Sequence, residues 1–472
     1  MSAVSVKTCS FRQLFEEVRQ VRIPDYQRSY TWGDRQVAAL LRDLQTAFTG
    51  PQPDPVYYLG SVVFYRNLGA NTYEIIDGQQ RLTTLFIFQY LLHGALPEKL
   101  NLELSTHQST KNLRAVQQYL AARLGPLQLA AVPDLLDRLT FTRIVIATED
   151  AAFTFFDTQN NRGMPLAVPD FLKAYHLRAI RAATPPLADK LQAAYAQTWE
   201  HVATAHGPEL LPVLFEKMLW RARNWRGQQP LAFENRDLIL HTFQQEAVDW
   251  APGQALGGAS LLRWALPDEC PPSPTPGRRP PVAALLPYSL RAFSVRQPLF
   301  RGSHFFEYAR TYAQTFALLF GAGEPSAALA PMRAFWTAVY AADLSAYLRE
   351  FMQLCLLLYY DGFGSVQLAQ AAQCFDYWVG GIRLSRQQVR RESVTRALRD
   401  WPHNLLDLIA QAYTPQQLFD AVYGIEDLQA VYAQQADQPD EALGPVQSRY
   451  RQRVLHYFGR TRAELTTRAL WT

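Results

Sequence analysis

The sequence predicts an α+β N-terminal domain followed by a mostly α-helical C-terminal region. Strand-like segments gather early, at Tyr58 to Arg66, Tyr73 to Ile76 and Leu139 to Ala147, where β-branched and aromatic residues dominate. Beyond Pro169 the apolar residues recur at helical spacing with few strand signals. The stretch Cys270 to Pro281 then holds six prolines and two arginines, a composition that resists regular structure.

Taken in order, Ser10 followed by Gln13 makes a capping-box start, and Phe11, Leu14, Phe15 and Val18 repeat on one helical face. Pro24 marks a turn. Val37, Leu40, Leu41, Leu44 and Phe48 give a second helix over Gly33 to Phe48, closed by Gly50-Pro51-Gln52-Pro53. The strands at Tyr58 and Tyr73 flank turn-forming Leu68 to Asn71 and read as a hairpin. The second strand runs into Asp77-Gly78, after which Leu82, Leu85, Phe86, Gln89 and Tyr90 share a helix face reaching about His93. A helix from Asp150 carries Phe153, Phe156 and Asp157 to the polar loop Asn160-Asn161-Arg162-Gly163, and Pro169 fits the first turn of the next helix. These breaks divide the chain into an N-terminal domain (1–180), a helical region (181–270), a Pro-rich linker or loop (271–281) and a helical C-terminal domain with a basic end (282–472).

At 472 residues, two or three domains are expected, each able to bury a core. Hydrophobic residues at 48% and charged residues at 19% exclude a largely disordered chain. No run approaches the roughly 18 apolar residues of a membrane span, and Met1 to Gln20 lacks an apolar core with a cleavage site. Cys9, Cys270, Cys355 and Cys374 are scattered with no C-x-x-C pair, so neither a disulfide framework nor a zinc site is indicated, and a reducing cytoplasmic setting is expected. The net charge of +4 is mild for this length, but Arg386, Arg390, Arg391, Arg396 and Arg399 form one basic stretch, and Arg449 to Arg468 holds six arginines against Glu464. Such stretches are either solvated helix faces or a nucleic-acid surface.

Three segments carry chemistry. In Ile75-Ile76-Asp77-Gly78-Gln79-Gln80-Arg81-Leu82-Thr83-Thr84 a buried strand turns on glycine into a helix. Helix N-terminal N–H groups attract phosphate, Gly78 lets the backbone approach a ligand, and Arg81 can add charge-assisted bonds. Asp77 either holds a magnesium ion bridging phosphate oxygens or is a plain N-cap. Gln79 and Gln80 beside Arg81 can orient a water or a phosphate. The second segment, Ile23-Pro24-Asp25-Tyr26-Gln27-Arg28-Ser29-Tyr30-Thr31-Trp32, offers aromatic faces either to a base or to the core. The third, Phe156 to Leu166, ends in amides, Arg162 and Gly163, either an ordinary helix end or a second arginine for a shared site.

Together the three resemble the GmrSD restriction endonuclease N-terminal domain family, with its I-P-x-Y-Q-R-x-Y-x-W segment, its strand ending in D-G-Q-Q-R-L-T-T-L and its later F-x-x-x-N-x-R-G-x-P-L loop. The resemblance covers roughly Phe11 to Tyr175. It implies a ParB/sulfiredoxin-like fold whose arginine-containing turn cradles nucleotide phosphates, here Gly78, Gln79, Gln80 and Arg81. It also implies hydrolysis of a nucleoside triphosphate with Mg2+, with Asp77, Gln80 and Arg81 as catalytic residues and Asp77 holding the metal. Gln27, Arg28, Asn161 and Arg162 would complete the pocket.

The HNH nuclease segment with which many family members end is not found here; His403 and His456 stand alone. The resemblance therefore implies the NTPase component of a bacterial anti-phage, restriction-type system, acting on or with DNA beside a separate nuclease-bearing partner. The alternative is a non-catalytic, nucleotide-gated DNA-binding or scaffold protein. Nuclease activity of the chain itself is doubtful, and whether copies assemble into a homo-oligomer is left open.

Overall fold

The computed structural model describes residues 4–16, 20–24, 27, 30–67, 72–96, 100–101, 107–148, 151–152, 155, 167–180, 184–205, 207, 209–229, 231–248, 293–341 and 345–466. They form two compact units, Met1–Ala205 and His206–Thr472. The Pro-rich stretch 271–281 and the polar loop at Asn160 to Gly163 lie outside the described residues.

The first unit is built on a six-stranded mixed sheet: β1 (Val4–Ser10), β2 (Val21–Arg22), β3 (Tyr57–Asn67), β4 (Thr72–Asp77), β5 (Leu100–Asn101) and β6 (Leu139–Ile146). The strand order is β1-β6-β3-β4-β2-β5. The hairpin expected from Tyr58 and Tyr73 is the antiparallel pair β3·β4, while β6 runs parallel to β3 with Val63 opposite Ile144. Val62, Val63 and Phe64 are buried in succession, as a central strand covered on both faces requires. Strand β1 was not among the expected elements. It alternates Val4, Val6 and Thr8 with Ser5, Lys7 and Cys9, but its first five residues are exposed at a sheet edge, so no apolar-inward pattern announces it.

The helices of this unit are α1 (Gln13–Glu16), α2 (Asp34–Thr49), α3 (Gln79–His93), α4 (His107–Leu124), α5 (Leu135–Arg138), α6 (Val168–Arg178) and α7 (Pro185–Ala205). The expected capping box starts α1: the Ser10 N–H donates to Gln13 Oε1 at 3.0 Å and the Gln13 N–H to Ser10 Oγ at 3.2 Å. The α2 stripe packs as its spacing demands, burying Val37, Leu40, Leu41, Leu44 and Phe48. Phe11, Phe15, Phe86 and Phe141 meet in one aromatic cluster of the same core. A buried ion pair between Lys173 and Glu200 joins α6 and α7, and both helices fall within the first unit, Met1–Ala205.

The second unit is helical, as expected. Its longer helices are α8 (Ser303–Phe320), α9 (Ala330–Val339), α10 (Ala346–Phe363), α11 (Leu368–Ser385), α12 (Arg391–Asp400), α13 (Leu405–Gln411), α14 (Pro415–Tyr423), α15 (Glu426–Asp437) and α16 (Pro445–Phe458). Every residue of α11 from Cys374 to Leu384 is buried, the mark of a helix surrounded on all sides. Within it Asp376 Oδ1 accepts from the hydroxyls of Tyr340 at 2.7 Å and Tyr450 at 2.9 Å. A side chain at Gly380 would collide with the Tyr450 and Tyr432 hydroxyls, so that glycine sets how closely α15 and α16 approach. Ahead of α8, Glu234 is ringed by Lys217, Arg221 and Arg391 at 2.6–3.0 Å.

Candidate functional site

Strand β4 ends at Asp77, and the chain turns through Gly78 at φ +89° before α3 begins at Gln79. Glycine is needed here twice over. The backbone is left-handed, and a Cβ would stand 2.7 Å from Val62 Cγ1 on the neighbouring strand. Gly78 is itself the N-cap, with no side-chain cap bond, so Asp77 is not the helix cap that its position left open. The first intrahelical bond runs from the Leu82 N–H to the Gly78 carbonyl at 2.9 Å. The Asp77 carboxylate is about a third exposed and meets Arg81 Nη2 at 3.7 Å, a distant contact for an ion pair. A carboxylate therefore stands at the positive end of a fifteen-residue helix, not consumed as its cap.

Arg81 faces inward on its own strand neighbour. Its Nη1 donates to the Leu59 carbonyl at 2.5 Å and its Nη2 to the Ser61 carbonyl at 2.8 Å. Those carbonyls flank Gly60, which sits at φ +93° in the irregularity where β3 shifts register against β6, and a Cβ there would lie 2.6 Å from Arg81 Nη1. The arginine thus pins a bulge of the central strand, with its side chain a quarter exposed.

The glutamines tie the motifs together. Gln80 Oε1 accepts from the backbone N–H groups of Thr31 at 2.9 Å and Trp32 at 3.3 Å. Gln27 Nε2 donates to the carbonyls of Ile76 at 2.7 Å and Ile75 at 3.2 Å, immediately before Asp77. The Gln27 carbonyl in turn accepts from Lys173 Nζ at 3.2 Å, and the same ammonium lies 2.8 Å from Glu200 Oε1. Tyr30 is buried; its hydroxyl lies 2.7 Å from Thr84 Oγ1, its carbonyl accepts from Asn112 Nδ2 at 2.8 Å, and burial pushes the phenol up to about 12 against the pull of the Thr84 bond. Of the two fates open to the aromatics, Tyr30 and the half-buried Trp32 take the core.

The first and second segments are therefore in contact through Gln27, Gln80 and Tyr30, around the turn that holds Asp77, Gly78 and Gln79. Asp25, Tyr26, Arg28, Asn161 and Arg162 lie outside the described residues. Sequence reasoning missed Lys173. Its signal was a lysine inside the apolar run Phe171-Leu172-Lys173-Ala174, where a charge has to be buried with a partner.

Residues 11–177 match the family model of the GmrSD restriction endonuclease, N-terminal domain. The first unit carries a GmrSD N-terminal domain. All three chemical segments fall inside the match, and the GmrSD domain places the chain in a restriction and defence context. Residues 283–436, in the second unit, match a family of unknown function (DUF7834), and neither match is to an HNH nuclease domain. No curated protein matches the chain.

Outside the GmrSD domain, the basic stretches are partly absorbed into the fold. Arg451 is buried, its Nη1 donating to the Gln435 and Gln438 carbonyls at 2.8 and 2.7 Å while Nε and Nη2 hold Asp440. Arg460 pairs with Glu464 at 3.1 Å, Arg399 with Asp400 at 2.7 Å and Arg391 with Glu234 at 3.0 Å. Arg390 and Arg396 are exposed. His403 and His456 are exposed too, and Asn404 caps α13 by accepting from the Leu406 N–H at 2.9 Å. Among the described residues no group of three or more His, Cys, Asp or Glu side chains is placed to hold a metal, and no helix is long and apolar enough to cross a membrane.

Proposed function

We propose that the β4–α3 turn binds the phosphates of a nucleoside triphosphate and that the chain is the NTP-hydrolysing component of its restriction-type system. The observation that carries this reading is the turn itself: a left-handed glycine opening a long helix without a side-chain cap, with the Asp77 carboxylate beside it. Backbone N–H groups at such a terminus suit an anion, and the close approach that Gly78 permits suits a pyrophosphate. A magnesium ion fits the single carboxylate of Asp77 if nucleotide oxygens and waters complete its shell, as magnesium prefers, so metal and nucleotide would enter together. When bound, the ion supplies charge neutralisation at the phosphates. Asp77 holds it, Gly78 and the start of α3 take the phosphates, and the unused N–H groups of Arg81 add positive charge at the rim.

DNA and a separate nuclease-bearing protein are the partners this reading assigns, because the domain is of restriction type and neither family match is to an HNH nuclease domain. A second reading, nucleotide binding without turnover as a switch for DNA binding, is favoured by one observation. Gln80 Oε1 and two Arg81 N–H groups are engaged internally, so of the three candidate catalytic side chains two are spent wholly or partly on holding the fold.

Phosphate release from ATP, GTP, CTP and UTP with magnesium, with and without DNA, separates the two when Asp77→Asn is run beside the wild type. The substitution removes a pair worth at most about 1 kcal/mol, so the protein stays folded. Turnover lost in Asp77→Asn supports hydrolysis at this turn. Equal turnover in both proteins removes the site from the reaction, and nucleotide binding with no turnover in the wild type selects the switch.

A further inference from the structure

We propose that Lys173, held by Glu200, is the positioning residue of the β4–α3 turn, an inference that rests on the nucleotide reading above for its functional consequence but not for its structural one. A continuous polar chain leads from α7 to the turn. Glu200 Oε1 lies 2.8 Å from Lys173 Nζ, and the same ammonium donates to the Gln27 carbonyl at 3.2 Å. The Gln27 amide then spends its donors on the carbonyls of Ile75 and Ile76, the two residues before Asp77.

The lysine side chain is 3% exposed and that of Glu200 15%. A buried ion pair is a poor way to gain stability, since an apolar pair of similar volume does as well or better, and such pairs are retained in some proteins for the unique geometry they impose. Here the geometry imposed is the seat of the loop that bears Gln27. Lys173 touches neither the turn nor its N–H groups; it fixes Gln27, and Gln27 fixes where β4 ends. A phosphate site made of backbone groups depends on such placement, because no long side chain can adjust to the ligand, and a displacement of about 1 Å costs on the order of a hundredfold in rate.

The test compares the full-length wild type with Lys173→Arg, with the charge-free double variant Lys173→Met/Glu200→Leu, and with Gln27→Leu, which breaks the chain one link later and leaves the ion pair intact. The first readout is hydrogen exchange of the unliganded protein. Exchange of the peptide spanning 75–82 is expected to rise on the order of tenfold in the double variant and in Gln27→Leu, to stay near wild type in Lys173→Arg, and to leave the peptides of α2 and β6 unchanged. The second readout is steady-state turnover of the nucleotide that the wild type hydrolyses, with kcat expected to fall at least about tenfold while KM moves less than about threefold, and Lys173→Arg restoring most of kcat. Unchanged exchange over 75–82 in Gln27→Leu and the double variant overturns the proposal. So does exchange that rises equally in α2 and β6, which would make the pair a general brace. A wild type with no turnover sinks the hydrolysis reading instead, and the exchange result still decides the role of Lys173.

Discussion

Replacing Arg81 with alanine is the obvious test of a D-G-Q-Q-R site, and the structure predicts that it also loosens the fold. Two N–H groups of the guanidinium bond the Leu59 and Ser61 carbonyls at 2.5 and 2.8 Å, across the Gly60 bulge of the central strand. Hydrogen bonds from a charged donor contribute about 1.5–3 kcal/mol each, and the lower end applies because the side chain is a quarter exposed, so alanine costs about 3 kcal/mol for the pair. A unit of 205 residues loses about 2–4 °C per kcal/mol, which places the melting transition of the first unit about 6–12 °C lower. Lysine in place of arginine can satisfy one carbonyl at a time and recovers only part of this. Differential scanning calorimetry of the full chain, with the transition of the first unit assigned by exchange or proteolysis, measures it. If Arg81→Ala melts within about 2 °C of the wild type, the bonds to β3 do not hold in solution, and the guanidinium is available to a ligand.

Three further predictions concern the second unit. Burial alone would raise the Glu234 carboxyl, but the Arg221 and Lys217 partners overcome it and hold it down at about 2. A depressed carboxylate contributes stability that is present above its unfolded value near 4.5 and lost as pH falls toward 2, so acid unfolding of this unit steepens in that window, and Glu234→Gln flattens the slope when followed by circular dichroism. At neutral pH the same substitution leaves Lys217, Arg221 and Arg391 around a neutral amide and costs about 3–5 kcal/mol in urea titration. Arg451→Ala strands the carbonyls of Gln435 and Gln438 and costs about 2–4 kcal/mol, while leaving the salt slope of any DNA affinity unaltered, since a buried arginine releases no counterion. A DNA slope that does fall in Arg451→Ala would show that this arginine reaches phosphate.

Much of this was legible in the sequence, for identifiable reasons. Apolar stripes in α2, the capping box at Ser10 and Gln13, and the β3·β4 hairpin are local patterns, and the structure realises each. Strand β1 escaped because an exposed edge strand has no buried face to mark it, and β2 and β5 because two residues carry no period. The turn at Asp77-Gly78 was legible from a strand, a glycine and a helix in succession. What pairs with Arg81, Gln80 and Gln27 was not, because those partners are backbone groups 20 to 49 residues away, and a carbonyl leaves no trace in the identity of its residue. The same holds for the basic runs, where Arg449 and Arg451 read alike in sequence while Arg451 is buried and Arg449 exposed.

That distinction changes what the motif signifies. Gln27, Gln80 and Arg81 invite reading as ligand contacts because they are polar and clustered, yet each spends donors or acceptors on the backbone of another segment: Gln27 on β4, Gln80 on the loop at Thr31 and Trp32, Arg81 on β3. Their common effect is to fix, from three sides, a turn whose part in the proposed nucleotide site is played by backbone amides and one carboxylate. A site of that kind needs rigidity more than it needs reactive side chains, since amides cannot reach and a single aspartate cannot correct for misplacement. It follows that substitutions at Gln27 and Gln80 should resemble the Lys173 variants, lowering kcat through the placement of Asp77 and α3, whereas Asp77→Asn should remove turnover with the turn still in place. A Gln80→Leu variant that retains wild-type exchange over 75–82 yet loses all turnover would break this division and return Gln80 to direct contact with the nucleotide or its attacking water.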